Sequence, residues 1–236
     1  MIAERKVPRY QQIRDVFVER IATGALPAGA MLPSEAEIGR EFSVSSGTAR
    51  KAMIELEQNG IVLRRQGRGT FVMVNTPERE RYHFFRFEDE EGRRLIPMPG
   101  TETIERRRAT AEEQKAFGRT CSVYDVRRVR SVNGVRSAIE QMLLPTDVFQ
   151  HLMEQTPLPN ALYAYYQSVF SVSVMEADDT LTATVASVED AELLGVDEGT
   201  PLLAIHRVAR NICGRVVELR NCRYLTTAMR YHVELR

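Results

Sequence analysis

The sequence lacks the long apolar runs and paired cysteines that mark membrane or disulfide-stabilised proteins. No segment approaches the roughly 18 to 20 uninterrupted apolar residues of a membrane span. Residues 1–6 are charged without an apolar stretch behind them, so we expect no signal peptide. The cysteines Cys121, Cys213 and Cys222 are odd in number and form no C-x-x-C pair. They indicate reduced thiols in a cytoplasmic protein that does not associate with membranes.

Catalytic, metal-binding and cofactor motifs are also missing. The four histidines show no metal-ligand spacing, and no serine elbow or cysteine–histidine pairing stands out. No glycine-rich loop is placed to cradle a phosphate. We therefore expect no enzyme, no metal site and no cofactor. The composition, 43% hydrophobic and 27% charged, is that of an ordinary soluble protein of one or two domains.

The net charge is zero, but it is unevenly distributed. Residues 1–75 hold 11 Lys and Arg against 8 Asp and Glu, whereas the remainder holds 21 against 24. The modest excess of +3 places any nucleic-acid-facing charge in the N-terminal third.

The first 60 residues have the pattern of three helices. Apolar residues three or four apart predict the first, from Tyr10 to Ile21. Ser34 and Glu37 have capping-box spacing and begin the second. Ser45 caps a third that runs to about Gln58. The short turn between the second and third helices is typical of a helix-turn-helix, whose second helix contacts DNA bases.

A basic β-hairpin follows the helices. Residues 61–65 and 70–74 are strand-like and flank Gln66-Gly67-Arg68-Gly69. The two glycines allow the tip to approach a phosphate or enter a minor groove. Three helices and such a hairpin predict a winged helix.

Residues 8–72 resemble the winged helix of the GntR family of bacterial regulators. Four motifs carry the resemblance: Pro8-Arg9-Tyr10-Gln11-Gln12-Ile13, Leu32-Pro33-Ser34-Glu35, Val44-Ser45-x-x-Thr48-x-Arg50 and Gln66-Gly67-Arg68-Gly69-Thr70-Phe71-Val72. Their order over this length makes the combined pattern highly specific.

The resemblance implies roles in binding double-stranded operator DNA. Phosphate contacts are expected from Ser45, Thr48 and Arg65, and a base-edge or phosphate contact from Arg50. The wing residues Gly67, Arg68 and Gly69 would reach the backbone or the minor groove. For Arg50 and Arg68 the alternative is a solvated surface charge.

Two positions depart from the family pattern. Ala36 and Ser46 stand where relatives usually have DNA-contacting arginines, so the operator sequence cannot be copied from them. Ser46 remains a candidate DNA contact by its position. Arg40 or Lys51 would compensate for the missing arginines, unless each is only a solvated surface charge.

The chain divides into a domain at 1–75, a linker at 76–81 and a second domain at 82–236. The linker is polar and contains Pro77, and residues 82–87 are strand-like. Beyond them, Asn133-Gly134 predicts a β-hairpin, and a second hairpin is predicted from residues 202–210 and 215–224. We also predict a helix over residues 158–170 and mostly a strand over residues 171–185. Hairpins with segregated helices predict an α+β fold with an antiparallel sheet.

The second domain resembles the UTRA ligand-sensing domain of the HutC-type subfamily. The features that carry this are Arg128-Val129-Arg130, Glu140 before Leu144-Pro145, Leu194-Gly195-Val196-x-x-Gly199-Thr200-Pro201 and Val217-Glu218. The resemblance implies a chorismate lyase-like sheet flanked by helices, a homodimer, and DNA binding that changes when a metabolite binds.

The candidate effector-binding residues are Arg86, Arg128, Arg130, Glu140, Tyr163 and Glu218. Arg128 and Arg130 share one face of a strand, and two guanidinium groups suit a carboxylate or phosphate. The alternative for both is cross-strand pairing with Glu140 or Glu218. Arg86, like Arg220, is alternatively a surface or structural charge. Ala161 replaces a family serine and Thr226-Thr227-Ala228-Met229 lacks the usual aspartate, which argues against a phosphosugar.

Together these features predict a transcription regulator. A two-fold homodimer would present its recognition helices about one DNA turn, ~34 Å, apart to a palindromic operator. A small anionic effector in the second domain would change operator affinity, and we expect repression relieved by the ligand. The alternatives are an effector-independent DNA-binding protein and a lyase-like enzyme.

Overall fold

The N-terminal domain consists of three helices and a two-stranded hairpin. The computed structural model describes residues 7–227 and 229–234, without the side chains of residues 81–83. Residues 1–6, which carry the expectation about a signal peptide, lie outside the described residues. The helices and strands are α1 (Arg9–Ala22), α2 (Glu35–Glu41), α3 (Ser46–Gln58), β1 (Val62–Arg65) and β2 (Gly69–Val72).

The predicted caps position the two helices of the helix-turn-helix. Ser34 and Glu37 form a capping box at the start of α2, and the Ser45 side chain accepts a hydrogen bond from Thr48 N at the start of α3. The apolar faces of the three helices meet in one core. That core includes Ile13, Phe17, Ile21, Ile38, Ala49, Ala52, Met53 and Leu56. The predicted three-helix pattern is confirmed.

The hairpin turns tightly between β1 and β2. Arg65 pairs with Gly69 at its closed end, and Met31 forms an additional bridge to Phe71. Gly69 has a φ of +112°, and a Cβ there would lie 3.2 Å from the Met31 sulfur. Glycine is therefore favoured at this position by the backbone conformation rather than by the close approach, because the exposed Met31 side chain can move aside.

The segment after the winged helix differs from the prediction. It forms the helix α4 (Pro77–Phe84) and then the short strand β3 (Phe87–Glu88). The predicted strand over 82–87 is therefore wrong for residues 82–86, of which 82–84 are helical, and much of the 76–81 linker is helical. Thr76 caps α4 and Pro77 occupies its first turn. These start signals outweigh the β propensity of the aromatic residues that follow.

A six-stranded antiparallel sheet forms the C-terminal domain, which confirms the α+β class. Its strands follow the spatial order β4-β5-β6-β9-β8-β7. Their bounds are β4 (Met98–Arg108), β5 (Ser122–Val132), β6 (Val135–Pro145), β7 (Val174–Val185), β8 (Pro201–Asn211) and β9 (Val216–Leu225). A short strand β10 (Arg230–Tyr231) pairs with β3. The strand β4 was not predicted, because Pro99, Gly100 and its charged residues obscure the pattern.

Helices cover both faces of this sheet. On one face α6 (Leu162–Phe170) packs on Val126 and Met142. On the other lie α5 (Ala111–Phe117) and α7 (Val188–Leu194). The predicted start of α6 at residue 158 is wrong, because Pro159 disfavours a helical conformation at the residue before it. None of the helices in the described ranges is long and apolar enough to span a membrane.

Candidate functional site

The start of α3 presents polar groups on an exposed surface. Ser45 and Ser46 are exposed, and Thr48 is half-buried. The hydroxyls of Ser45 and Thr48 lie 3.0 Å apart, so both are held at the helix N-terminus. Unpaired N–H groups and the helix dipole favour an anion there, which suits a DNA phosphate.

Glu35 connects the recognition helix to the wing. Its carboxylate accepts hydrogen bonds from Arg50 Nε and Arg64 Nη2, both at 3.0 Å. Arg50 is 64% exposed, so its guanidinium remains accessible to DNA. Arg64 was not predicted, although it precedes Arg65 in the basic hairpin. Only the fold shows that Arg64 shares a carboxylate with Arg50.

The remaining predicted DNA-facing residues have different surroundings. Arg65 lies over the Phe71 ring at 5.3 Å, and Gly67 and Arg68 are exposed at the wing tip. Lys51 Nζ lies 4.0 Å from the centre of the Tyr10 ring, so this ammonium already packs on α1. Their placement is compatible with a basic DNA-facing surface formed by α3 and the wing.

A cavity of about 330 Å³ lies in the C-terminal domain, between the sheet and the helices α4 and α6. Aromatic and aliphatic side chains alternate around it with charged groups, as in pockets for small molecules. The charged and polar residues of its lining are Glu80, Arg86, Arg130, Glu140, Asn160, Tyr163, Arg207, Arg220, Tyr224 and Tyr231. Among the described residues, no group of three or more His, Cys, Asp or Glu side chains is arranged to hold a metal ion.

Three of the lining arginines have carboxylate partners. Arg130 Nη1 donates to Glu140 at 3.0 Å, and its Nη2 donates to the Pro97 carbonyl and to Asn160. The other two pairs bind through two bonds each. Arg207 holds Asp179 at 2.6 and 2.7 Å, and Arg220 holds Glu218 at 2.8 and 2.9 Å. These guanidinium groups are therefore largely neutralised by the protein itself.

Arg86 is different from these three. It is half-buried and lines the cavity, and no hydrogen bond or ion pair joins its guanidinium to another described side chain. The buried Nε of Arg130 also lacks a hydrogen-bond partner among the described residues. Arg86 is therefore a lining cation without a carboxylate partner among the described residues, and it favours an anionic ligand.

The two lining carboxylates have opposite pKa shifts. Burial alone would raise the pKa of Glu140, but the charges of Arg130, Arg220 and Arg128 outweigh it and lower that pKa. Burial raises the pKa of Glu80 despite hydrogen bonds from the backbone N–H groups of Ala164 and Tyr163. The surroundings therefore favour the ionised form of Glu140, whereas they disfavour the ionised form of Glu80.

Four of the six predicted effector-binding residues line the cavity: Arg86, Arg130, Glu140 and Tyr163. The other two do not. Arg128 donates to Glu102 at 2.6 Å and to the Pro159 carbonyl. Glu218 is fully buried behind the wall, where it accepts hydrogen bonds from Tyr163 and Tyr166 as well as Arg220.

Several lining residues were missed or underrated from the sequence. Arg220 was considered more structural than ligand-facing, yet it both holds Glu218 and lines the cavity. Arg207 lies two positions after Ile205 on β8, and residues two apart on a strand share a face, so the strand period alone could have placed it beside the cavity. Glu80 could not be found this way, because it reaches the cavity from the segment predicted as a linker.

The helix α6 joins the cavity to the winged helix. Tyr163 in its first turn lines the cavity, and Gln167 one turn later contacts the chain that leaves β2. Gln167 accepts a hydrogen bond from Asn75 N at 2.7 Å and donates to the Met73 carbonyl at 3.0 Å. A second cavity of about 310 Å³ lies at this junction and shares Phe84, Arg86 and Arg207 with the first. The two domains are thus in direct contact beside the candidate effector site.

Known proteins match both halves of the chain. The family described as bacterial regulatory proteins, gntR family, matches residues 9–72, and the UTRA domain matches residues 98–230. The HTH-type transcriptional repressor NagR of Bacillus subtilis is 30% identical over 206 residues, covering 85% of this chain and 84% of NagR. The histidine utilization repressor of Pseudomonas putida is 26% identical, covering 87% and 84%.

A solved structure is similar as well. The ligand-binding domain of a GntR-family transcriptional regulator from Bordetella bronchiseptica superposes with a TM-score of 0.57 and 32% identity, covering 66% of this chain and 99% of that one. The relatives are regulators and not enzymes, which agrees with the prediction from the sequence. The chain therefore belongs to the gntR family of bacterial regulatory proteins, as a DNA-binding transcription regulator of the HutC type with a C-terminal UTRA domain.

Proposed function

We propose that this protein is a cytoplasmic repressor that binds a palindromic operator as a homodimer and releases it when a small carboxylate- or phosphate-bearing metabolite occupies the cavity. The observation that carries the proposal is the Arg86 guanidinium, unpaired among the described residues, in a cavity that touches the winged helix through α6. The cavity volume suits a small metabolite.

The DNA-binding part of the proposal rests on α3 and the wing. Phosphate contacts would come from Ser45, Ser46 and Thr48. Arg50 would enter the major groove, where its guanidinium would leave Glu35 and bind the edge of a base. Arg64, Arg65 and Arg68 would place the wing on the DNA backbone. These contacts bring both sequence-dependent and sequence-independent affinity.

The effector part rests on the charges in the cavity. The ligand anion would pair with Arg86 and approach Arg130, and the fixed carboxylate of Glu140 would accept hydrogen bonds from ligand hydroxyl or amino groups. Tyr163 would contribute its ring, because its hydroxyl already donates to Glu218. Arg128 and Glu218 would support the wall from behind. Histidine, named in the Pseudomonas putida relative, also bears a carboxylate.

Effector and operator binding would be coupled by linkage. A ligand that prefers one placement of α6 shifts the orientation of the winged helix, because Gln167 holds Met73 and Asn75. The coupling free energy in such systems is about 1–3 kcal/mol, enough to change operator affinity several-fold to a hundredfold.

The exposed edge strand β7 would join two copies of the chain. Residues 180–183 and 185 on it are exposed and uncharged, with Leu181 40% and Val185 58% exposed. The opposite edge strand, β4, ends in three arginines, and these charges disfavour its pairing with another strand. Antiparallel pairing of β7 with its own copy is self-complementary, as a two-fold dimer requires.

A thermal-shift screen of the purified protein against small carboxylates, phosphates, amino acids and sugars tests the effector assignment. Arg86→Gln is the matched variant, because replacing Arg130 would leave Glu140 buried without its partner. Arg127→Gln, at an exposed position, is the control. We expect anionic ligands to raise the melting temperature of the wild type and the control but not of Arg86→Gln. A response equal in all three proteins contradicts the role of Arg86. If no ligand raises the melting temperature of the wild type, the effector-independent alternative is favoured.

A further inference from the structure

We propose that the Glu80 carboxylate is an internal substitute for the effector's anionic group, and that an effector anion releases α4 by displacing it. The inference rests on the proposed function and deepens it, because it names the contact through which the ligand changes the winged helix. Glu80 lies on α4, lines the cavity and contacts the start of α6.

Glu80 provides the cap that α6 lacks. The N-cap residue of α6 is Ala161, whose side chain cannot accept a hydrogen bond. Glu80 Oε2 instead accepts from the backbone N–H groups of Tyr163 and Ala164, at 3.0 and 3.1 Å. Backbone N–H groups at a helix start can bind either a phosphate or a carboxylate. The protein therefore places its own carboxylate at an anion-binding position inside the effector cavity.

The surroundings of Glu80 make this carboxylate replaceable. Burial penalises its charge, and the nearby charge of Glu218 repels it, whereas Arg220 attracts it. A ligand anion could also pair with Arg86, to which no described residue offers a carboxylate. An incoming anion would thus satisfy donors that Glu80 leaves unused.

The same contact controls the connection to the winged helix. Only four residues separate the end of β2 from the start of α4, so the position of α4 constrains the winged helix. Glu80 holds its middle, and Arg207 Nη2 holds the Phe84 carbonyl at its end, at 2.8 Å. Phe84 also packs edge-on against Tyr163, with ring centres 4.8 Å apart. Displacing Glu80 removes one of these attachments and so loosens α4.

Calorimetric titration with inorganic phosphate tests the competition. The proteins are full-length wild type, Glu80→Gln and the control Glu112→Gln, whose carboxylate is exposed on α5. We expect Glu80→Gln to bind phosphate about tenfold more tightly than the other two, because a like charge has been removed from the site. Equal affinity in wild type and Glu80→Gln overturns the inference but leaves the proposed function intact. Absence of phosphate binding in all three also overturns the inference, whereas the anionic effector is tested separately by the thermal-shift screen.

Amide hydrogen exchange over residues 77–84 tests the release of α4. Phosphate should accelerate exchange in the wild type, and Glu80→Gln should exchange at the faster rate without phosphate. Because glutamine can still accept hydrogen bonds, Glu80→Ala is the second variant and should show the larger acceleration. Slow exchange in β5 serves as the control that each variant is folded. If the folded proteins all exchange α4 at the same rate, the inference is overturned.

Discussion

The side chain of Gln167 donates a hydrogen bond to the main-chain carbonyl of Met73. This bond joins the helix that borders the effector cavity to the chain that leaves the winged helix. Gln167 also donates to Ser173 at 2.9 Å and accepts from Asn75, so the amide is fully used. Under the proposed function, this side chain would transmit a displacement of α6 to the winged helix.

Replacing Gln167 should weaken the coupling between effector and operator. Gln167→Met keeps the approximate volume but removes all three hydrogen bonds, so we expect near-normal operator binding and a smaller effector response. We expect the variant to lose part of the ~1–3 kcal/mol coupling free energy between effector and operator binding. The buried groups left without hydrogen bonds should lower the free energy of unfolding by about 1–3 kcal/mol. Fluorescence anisotropy with an operator selected from random DNA measures both affinities. Gln114→Met in α5 is the control, and an unchanged response in Gln167→Met would contradict the pathway.

Replacing Arg50 should weaken operator binding without unfolding the protein. Arg50→Ala removes an exposed guanidinium whose partner in the free protein is Glu35. We expect a loss of ~1–3 kcal/mol and relaxed sequence preference at one position of each half-site. Anisotropy on single-base operator variants measures it, with Arg127→Ala, exposed on β5 of the C-terminal domain, as control. Normal binding by Arg50→Ala would show that another element contacts the bases.

A charge on β7 should separate the homodimer. In antiparallel self-pairing, Leu181→Lys brings two ammonium groups close together about the two-fold axis. We expect sedimentation as a monomer, with the fold retained because Leu181 is exposed. Thr103→Lys, exposed on the opposite edge strand, should sediment like the wild type. A dimer that survives in Leu181→Lys would move the interface away from β7.

The ion pair of Glu113 and Arg107 should contribute to stability above mildly acidic pH. Two hydrogen bonds from Arg107, each 2.8 Å, lower the pKa of Glu113, against the opposing effect of burial. The folded state therefore favours the carboxylate, and its contribution is present above the ordinary pKa of 4.5 and is lost as pH falls through the lowered value. Urea unfolding at a series of pH values should show a smaller acid loss in Glu113→Gln than in the wild type. Glu112→Gln is the control, and parallel curves for all three proteins would contradict the assignment.

Local signals in the sequence determined much of the fold and the DNA-binding surface. The caps at Ser34 and Ser45, the apolar spacing of α1 and the turn at Asn133-Gly134 depend on residues a few positions apart. Strand period was enough to place Arg128 and Arg130 on one face of β5. Such features can be predicted because their physical causes lie within one helix or hairpin.

The tertiary structure decided which charges remain available. Arg130, Arg207 and Arg220 are each neutralised by a carboxylate, two of them on a neighbouring strand, whereas Arg86 is not paired with any described residue. Glu80 reaches the start of α6 across 83 positions of sequence. Burial and pairing depend on contacts between distant segments, so sequence determined which charged groups exist and only the fold decided which of them face a ligand.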